Sequence, residues 1–302
     1  MDTFLKALLY IGTVVAIGAG VFRWFVAPES LRPEVSGRLR TGLVVGCALV
    51  LVASPLQIVV TISNLLGRFD PSLGTEYLVA TRHGVATLAR FVAIALLIAA
   101  TLLPFGRTAG RSFFTVSALL LLATFSWTSH AVAVAGTLPL VADLLHFAAA
   151  AGWAGAVLYA AWMPFWERPG TPQVVALNRV SSIGATAVMV LFATGLYTAL
   201  LHVSSPQILA SSPYGRVLSV KNLLVLLIVA VAAVNRWWFL PRIRRGQAGP
   251  SFRRLFRAEA MLLLAVLAVT GLLTTSALPH EPGVPPDPLE SLRNFLPDRG
   301  TN

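Results

Sequence analysis

The segment Pro139-Leu-Val-Ala-Asp143-Leu-Leu-His146 places a carboxylate and an imidazole three residues apart in an otherwise uncharged stretch. On a helix, residues at i and i+3 share a face. An ionised Asp inside a membrane helix costs about 2.5–3.5 kcal/mol at the centre and less near an end, so it normally faces the protein interior with a partner. His130 is the nearest candidate along the chain, and the 12 residues between it and Asp143 suffice for a tight turn and the first part of a helix. His130, Asp143 and His146 therefore form the leading donor set. Two imidazoles and a carboxylate suit a borderline transition metal such as copper or zinc, or Asp143 serves as the partner that fixes a histidine tautomer. The same residues would also make a structural hydrogen-bond network stapling two helices, and a proton or haem role stands beside both readings.

The other histidines rank lower. His202 closes Gly195-Leu-Tyr197-Thr-Ala-Leu-Leu-His202, where a terminal imidazole can cap carbonyls or reach the interface. His83 follows Arg82 at the start of an apolar run, and His280 lies in a Pro-rich tail, so both read as solvated before they read as ligands. Apart from Met1, the methionines Met163, Met189 and Met261 are widely separated, so there is no thioether ladder and histidine must do most of any copper binding. The single cysteine, Cys47, lies in an apolar run and reads as a packing residue. Gly152-Trp153-Ala154-Gly155 reads as a close-packing patch. Lys221 is read as snorkelling, and Glu259 as paired with Arg236, Arg257 or Asn235.

The elements that must position these residues follow from composition. Of 302 residues, 56% are hydrophobic and 12% charged, and the mean hydropathy is +0.77. Apolar runs of about twenty residues match a hydrocarbon core of about 30 Å. They span approximately 4–27, 39–62, 84–104, 112–130, 138–162, 179–202, 216–240 and 256–276. The run lengths suit helices and not barrel strands. The predicted fold is all-α, a polytopic transmembrane bundle of about eight helices over 1–278, with a Pro-rich extracytoplasmic tail over 279–302. The first run is followed by Arg23, Trp24 and a loop instead of a cleavage site, so it reads as a retained helix.

Orientation follows from the basic residues. Arg23, Arg32, Arg38, Arg40, Arg107, Arg111, Arg168, Arg179, Arg236, Arg242, Arg244, Arg245, Arg253, Arg254 and Arg257 fall on one side, 15 of the 23. That side is predicted to be cytoplasmic, which leaves both termini and all five histidines extracytoplasmic. The net charge of +11 is thus a topology signal; no continuous basic face for nucleic acid is present. A phosphate-cradling Gly loop, a Gly-x-Ser-x-Gly elbow and a His-Glu-x-x-His motif are all missing, so an enzyme is not expected.

The second half resembles the copper resistance D (CopD) family of membrane proteins. The resemblance rests on Ser129-His130, Asp143-Leu-Leu-His146 with Gly152-Trp153-Ala-Gly155, and Thr194-Gly195-Leu-Tyr197. It continues through Ser212-Pro213-Tyr214-Gly215-Arg216 with Lys221, Asn235-Arg236 with Pro241, and Glu259 with Gly271-Leu-Leu-Thr274. It is strongest over 110–280. It implies an inner-membrane, multi-pass protein that moves copper across the bilayer or hands it to cuproproteins such as oxidases. It also implies a periplasmic copper-binding partner of the CopC type, expected here as a separate protein. Three functions follow: a copper-importing permease that accepts the ion at His130, Asp143 and His146; a haem- or redox-linked membrane protein; or a non-transporting copper-delivery factor.

Overall fold

A computed structural model describes residues 2–66, 71–129, 137–163, 170–202, 212–247 and 250–274. Its elements are α1 (Asp2–Val21), α2 (Arg32–Leu66), α3 (Pro71–Ala80), α4 (Arg82–Leu102), α5 (Arg107–Ser126), α6 (Thr137–Trp162), α7 (Thr171–His202), α8 (Pro213–Val234), α9 (Leu240–Arg244) and α10 (Pro250–Leu273). Among the described residues there is no strand, and eight helical segments are long and apolar enough to cross a membrane. The described residues form an all-α, multi-pass bundle of apolar helices.

Lipid supplies no hydrophobic drive between helices, so small residues set which helices touch. α1 is the hub, packed against α2, α6 and α10. A Cβ added at Gly155 would stand 2.5 Å from Gly18 Cα, and one at Gly46 would stand 2.5 Å from Ala16 N. Both crossings therefore bring backbone against backbone, as expected for the small-residue patch of α6. Around this hub lie the α4–α5, α6–α7 and α8–α10 pairs. α7 and α8 turn much of their length outward, with Phe192, Leu200, Leu223 and Leu226 exposed on an apolar, lipid-facing surface.

Several helices outrun their apolar cores. α2 begins at Arg32 instead of 39, and α7 at Thr171 instead of 179. α3 occupies part of what reads as an outer loop. Helical hydrogen bonding continues past the hydrocarbon slab once polar side chains can be hydrated. α4 and α8 start on side-chain caps: Gly84 N–H donates to Thr81 Oγ1, and Gly215 N–H to Ser212 Oγ ahead of a first-turn proline.

The two ends of the bundle differ in chemistry. At one end arginines cap the carbonyls that helix ends leave open. Arg111 Nε donates to Trp24 O, Arg179 Nη1 to Val26 O and Arg257 Nε to Ala161 O. Arg23 and Arg32 stack on Trp24, and Arg244 bonds Asn178. At the opposite end Lys6 Nζ donates to Thr274 O, joining the start of α1 to the end of α10. That end also carries Asp143 and His83.

Candidate metal centre

α6 enters the bundle at Thr137 and carries Asp143 and His146 on one face, both half-buried. They reach toward different neighbours. His146 points at α7, where Nδ1 lies 2.9 Å from Thr194 Oγ1. That hydroxyl donates its one proton to Val190 O at 2.7 Å. With that proton on Val190 O, Nδ1 is the donor to Thr194 and the lone pair lies on Nε2. The tautomer is thus set by Thr194 and not by Asp143. The ring packs over Gly195, where an added Cβ would stand in ordinary van der Waals contact, 3.8 Å from His146 Cε1.

Asp143 faces the end of α5, beside the Ser126 and Ser129 side chains, and feels the charge of Lys221 on α8. Ser126 Oγ is fully buried and has no hydrogen-bond partner among the described residues. The charge of Lys221 acts on both His146 and Asp143, with no ion pair to Asp143 among the described residues. Tyr10 on α1 is also within the field of Asp143 and sits beside Thr274. An aromatic trio of Tyr10, Phe125 and Phe147, with centroids 5.4–5.9 Å apart, packs next to these groups.

His130, the second imidazole expected from sequence, lies outside the described residues, as does His280. His202 is the last residue of α7, two turns beyond Thr194, and its side chain is likewise outside the description. His83 opens α4 and lines a separate outer cavity. Among the described residues no three of His, Cys, Asp and Glu gather to hold a metal. Asp143 and His146 therefore stand as a pair on one helix face, with a tautomer that leaves Nε2 open.

Sequence reading quoted Thr194 only within the family resemblance, without its role toward His146, and missed Tyr10 and the charge coupling of Lys221 to Asp143. Thr194 carried a legible signal, a hydroxyl next to a glycine in the middle of an apolar helix. At the other end, Glu259 is buried and accepts hydrogen bonds from Asn235 Nδ2 at 2.6 Å and Trp153 Nε1 at 3.3 Å. This is the Asn235 pairing expected from sequence, with Trp153 as an unforeseen second donor.

Comparison with known proteins agrees with this architecture. The family model for copper resistance protein D matches residues 174–273, and that for the copper resistance protein D-like N-terminal domain matches residues 2–140. The copper transport protein CutJ of Bacillus subtilis (strain 168) is 26% identical over 295 residues, covering 93% of this chain and 53% of that protein. The inner membrane protein YebZ of Escherichia coli (strain K12) is 33% identical over 135 residues, covering 43% of this chain and 46% of its own length. The chain thus spans about half the length of the curated relatives it matches. No solved structure matches. Two family models that between them take in most of the helices, on a bundle of eight apolar spans, make this chain a member of the copper resistance protein D family.

Proposed function

We propose that the chain imports copper across the inner membrane and accepts the ion at its histidine-bearing end through His146, Asp143 and His130. The observation that carries this reading is the His146–Thr194 hydrogen bond, which leaves Nε2 as a free donor within a bundle of the copper resistance family. A histidine that ligates a metal commonly donates its other N–H to a neighbouring acceptor in this way. The relative named a copper transport protein aligns along nearly all of this chain, which supports transport over a purely structural role for the cluster.

Charge gives the site its logic. Asp143 offsets the arriving cation, and the nearby charge of Lys221 partly balances the carboxylate while no ion is there. Copper then competes with an internal ammonium instead of entering a bare anionic hole. The arginine-rich end, by the positive-inside rule, lies in the cytoplasm, so the acceptance site faces outward. There a soluble periplasmic copper carrier of the CopC type is the natural donor. The haem-linked reading draws no support from the family or its relatives.

Copper flux into proteoliposomes tests the proposal. Copper should accumulate with the wild-type protein and not with a His130→Ala/His146→Ala variant present at equal density. Binding without flux would turn the protein into a delivery factor, and flux unaffected by the substitutions would remove these residues from the path.

A further inference from the structure

A cavity of about 330 Å³ opens at the histidine-bearing end among α1, α2, α3, α4 and the end of α5. That is room for roughly ten waters at about 30 Å³ each. Its wall holds the charged groups Asp2, Lys6, Arg82 and Arg90, together with Ser54 and Gln57. Asp2 is already engaged: its carboxylate pairs with Lys6 at 3.6 Å and accepts from Gln57 Nε2 at 3.3 Å. Arg82 and Arg90 are then left without a carboxylate in the wall.

Arg90 is the unusual member. It sits two turns inside α4 and is 5% exposed. Nε donates to Thr124 Oγ1 at 3.2 Å and Nη1 to Ser54 Oγ at 3.1 Å, while the guanidinium stacks 4.0 Å from the Phe125 ring centre. These acceptors are neutral, and Thr124 Oγ1 spends its own proton on Leu121 O. A guanidinium has five N–H donors, and the remaining ones have no acceptor among the described residues. A buried, permanently charged group without a counter-charge is expensive unless an anion completes it. Intramembrane arginines are accordingly rare and mark sites of function.

We infer that this cavity is a binding site for a small oxyanion, a carboxylate or a phosphate, held by the free edge of the Arg90 guanidinium and drawn in by Arg82. The planar fork of an arginine matches both groups in two-point fashion, and the Ser54 hydroxyl, which accepts from Arg90 and donates to no described residue, offers a further donor in the wall. Ser129 lines the cavity and also faces Asp143, so the anion site adjoins the proposed copper site without depending on it. The inference holds whether or not copper is the cargo, because it rests on Arg90 and the void alone.

Titration calorimetry on the full chain in detergent, with sodium succinate and inorganic phosphate as probes and chloride as the control, tests it. Succinate or phosphate should bind, with Arg90→Met weakening the affinity by at least about tenfold and Arg82→Gln by about threefold. Should Arg90→Met fail to fold, Arg90→Lys keeps the charge, loses the fork and should still weaken binding. A parallel series in nanodiscs, with and without phosphatidylglycerol, identifies the source: stabilisation that needs both the anionic lipid and Arg90 assigns the oxyanion to a headgroup. The inference is overturned if neither free anion nor lipid binds, or if binding is the same in wild type, Arg90→Lys and Arg82→Gln.

Discussion

Glu259 and Asp143 are both carboxylates inside apolar helices, held at opposite ends of the bundle and in opposite ways. Glu259 is 2% exposed and closed off by two direct donors, Asn235 Nδ2 and Trp153 Nε1, from neighbouring helical segments. Asp143 is half-buried among hydroxyls, a lysine and an imidazole, beside a buried serine oxygen with no partner among the described residues. Two direct donors hold Glu259 in one packing arrangement, even though Asn235 Oδ1 is itself buried with no partner among the described residues, whereas Asp143 has no ion pair among the described residues and stays open to a cation. On the proposed function, the arginine-rich end is architectural and the histidine-rich end handles the ion.

The largest effect that would break this division is on copper binding itself. Replacing His130 and His146 by Ala should abolish stoichiometric copper binding in equilibrium dialysis, while Glu259→Gln should leave it intact; loss in both would erase the distinction. Next, Thr194→Val removes the acceptor that fixes the His146 tautomer, and copper affinity should fall by about 10–100-fold. The folded protein should survive that change, since Val matches Thr in shape. At the closed end, Asn235→Leu leaves Glu259 short of a donor and should lower stability by about 1–3 kcal/mol in chemical denaturation, with copper binding unchanged. The smallest expected effect is from Lys221→Met, which removes the cation that competes for Asp143. Copper should then bind more tightly, by roughly tenfold or less; weaker binding would make Lys221 a support and not a competitor.

Helix number and composition were legible in the sequence because a bilayer imposes a length on every apolar run. The same logic sorted the arginines, and the structure gathers Arg23, Arg32, Arg111, Arg179 and Arg257 at one end as expected. Helix starts were less legible. α2 and α7 run seven or eight residues beyond their apolar cores, where hydrated side chains let the helix continue without a hydropathy signal.

Of the site, Asp143 and His146 could be placed on one face from their spacing, yet their partners could not. Which way Lys221, Arg90 or Tyr10 points depends on how helices rotate against one another, and that is fixed by contacts such as Gly18 against Gly155. Charge inside an apolar run flags a residue; tertiary packing decides whether it faces a neighbour, a cavity or the membrane edge. Arg90 illustrates this, since its place in an apolar run does not show that it reaches inward to Thr124 and Ser54.

The most direct test of the central claim is metal analysis of the purified protein after copper loading, with wild type set beside His130→Ala/His146→Ala. The account predicts that wild type retains stoichiometric copper and that the variant, folded and helical by circular dichroism, retains none. Equal copper in the two proteins would contradict it and move the ion to some other part of the bundle.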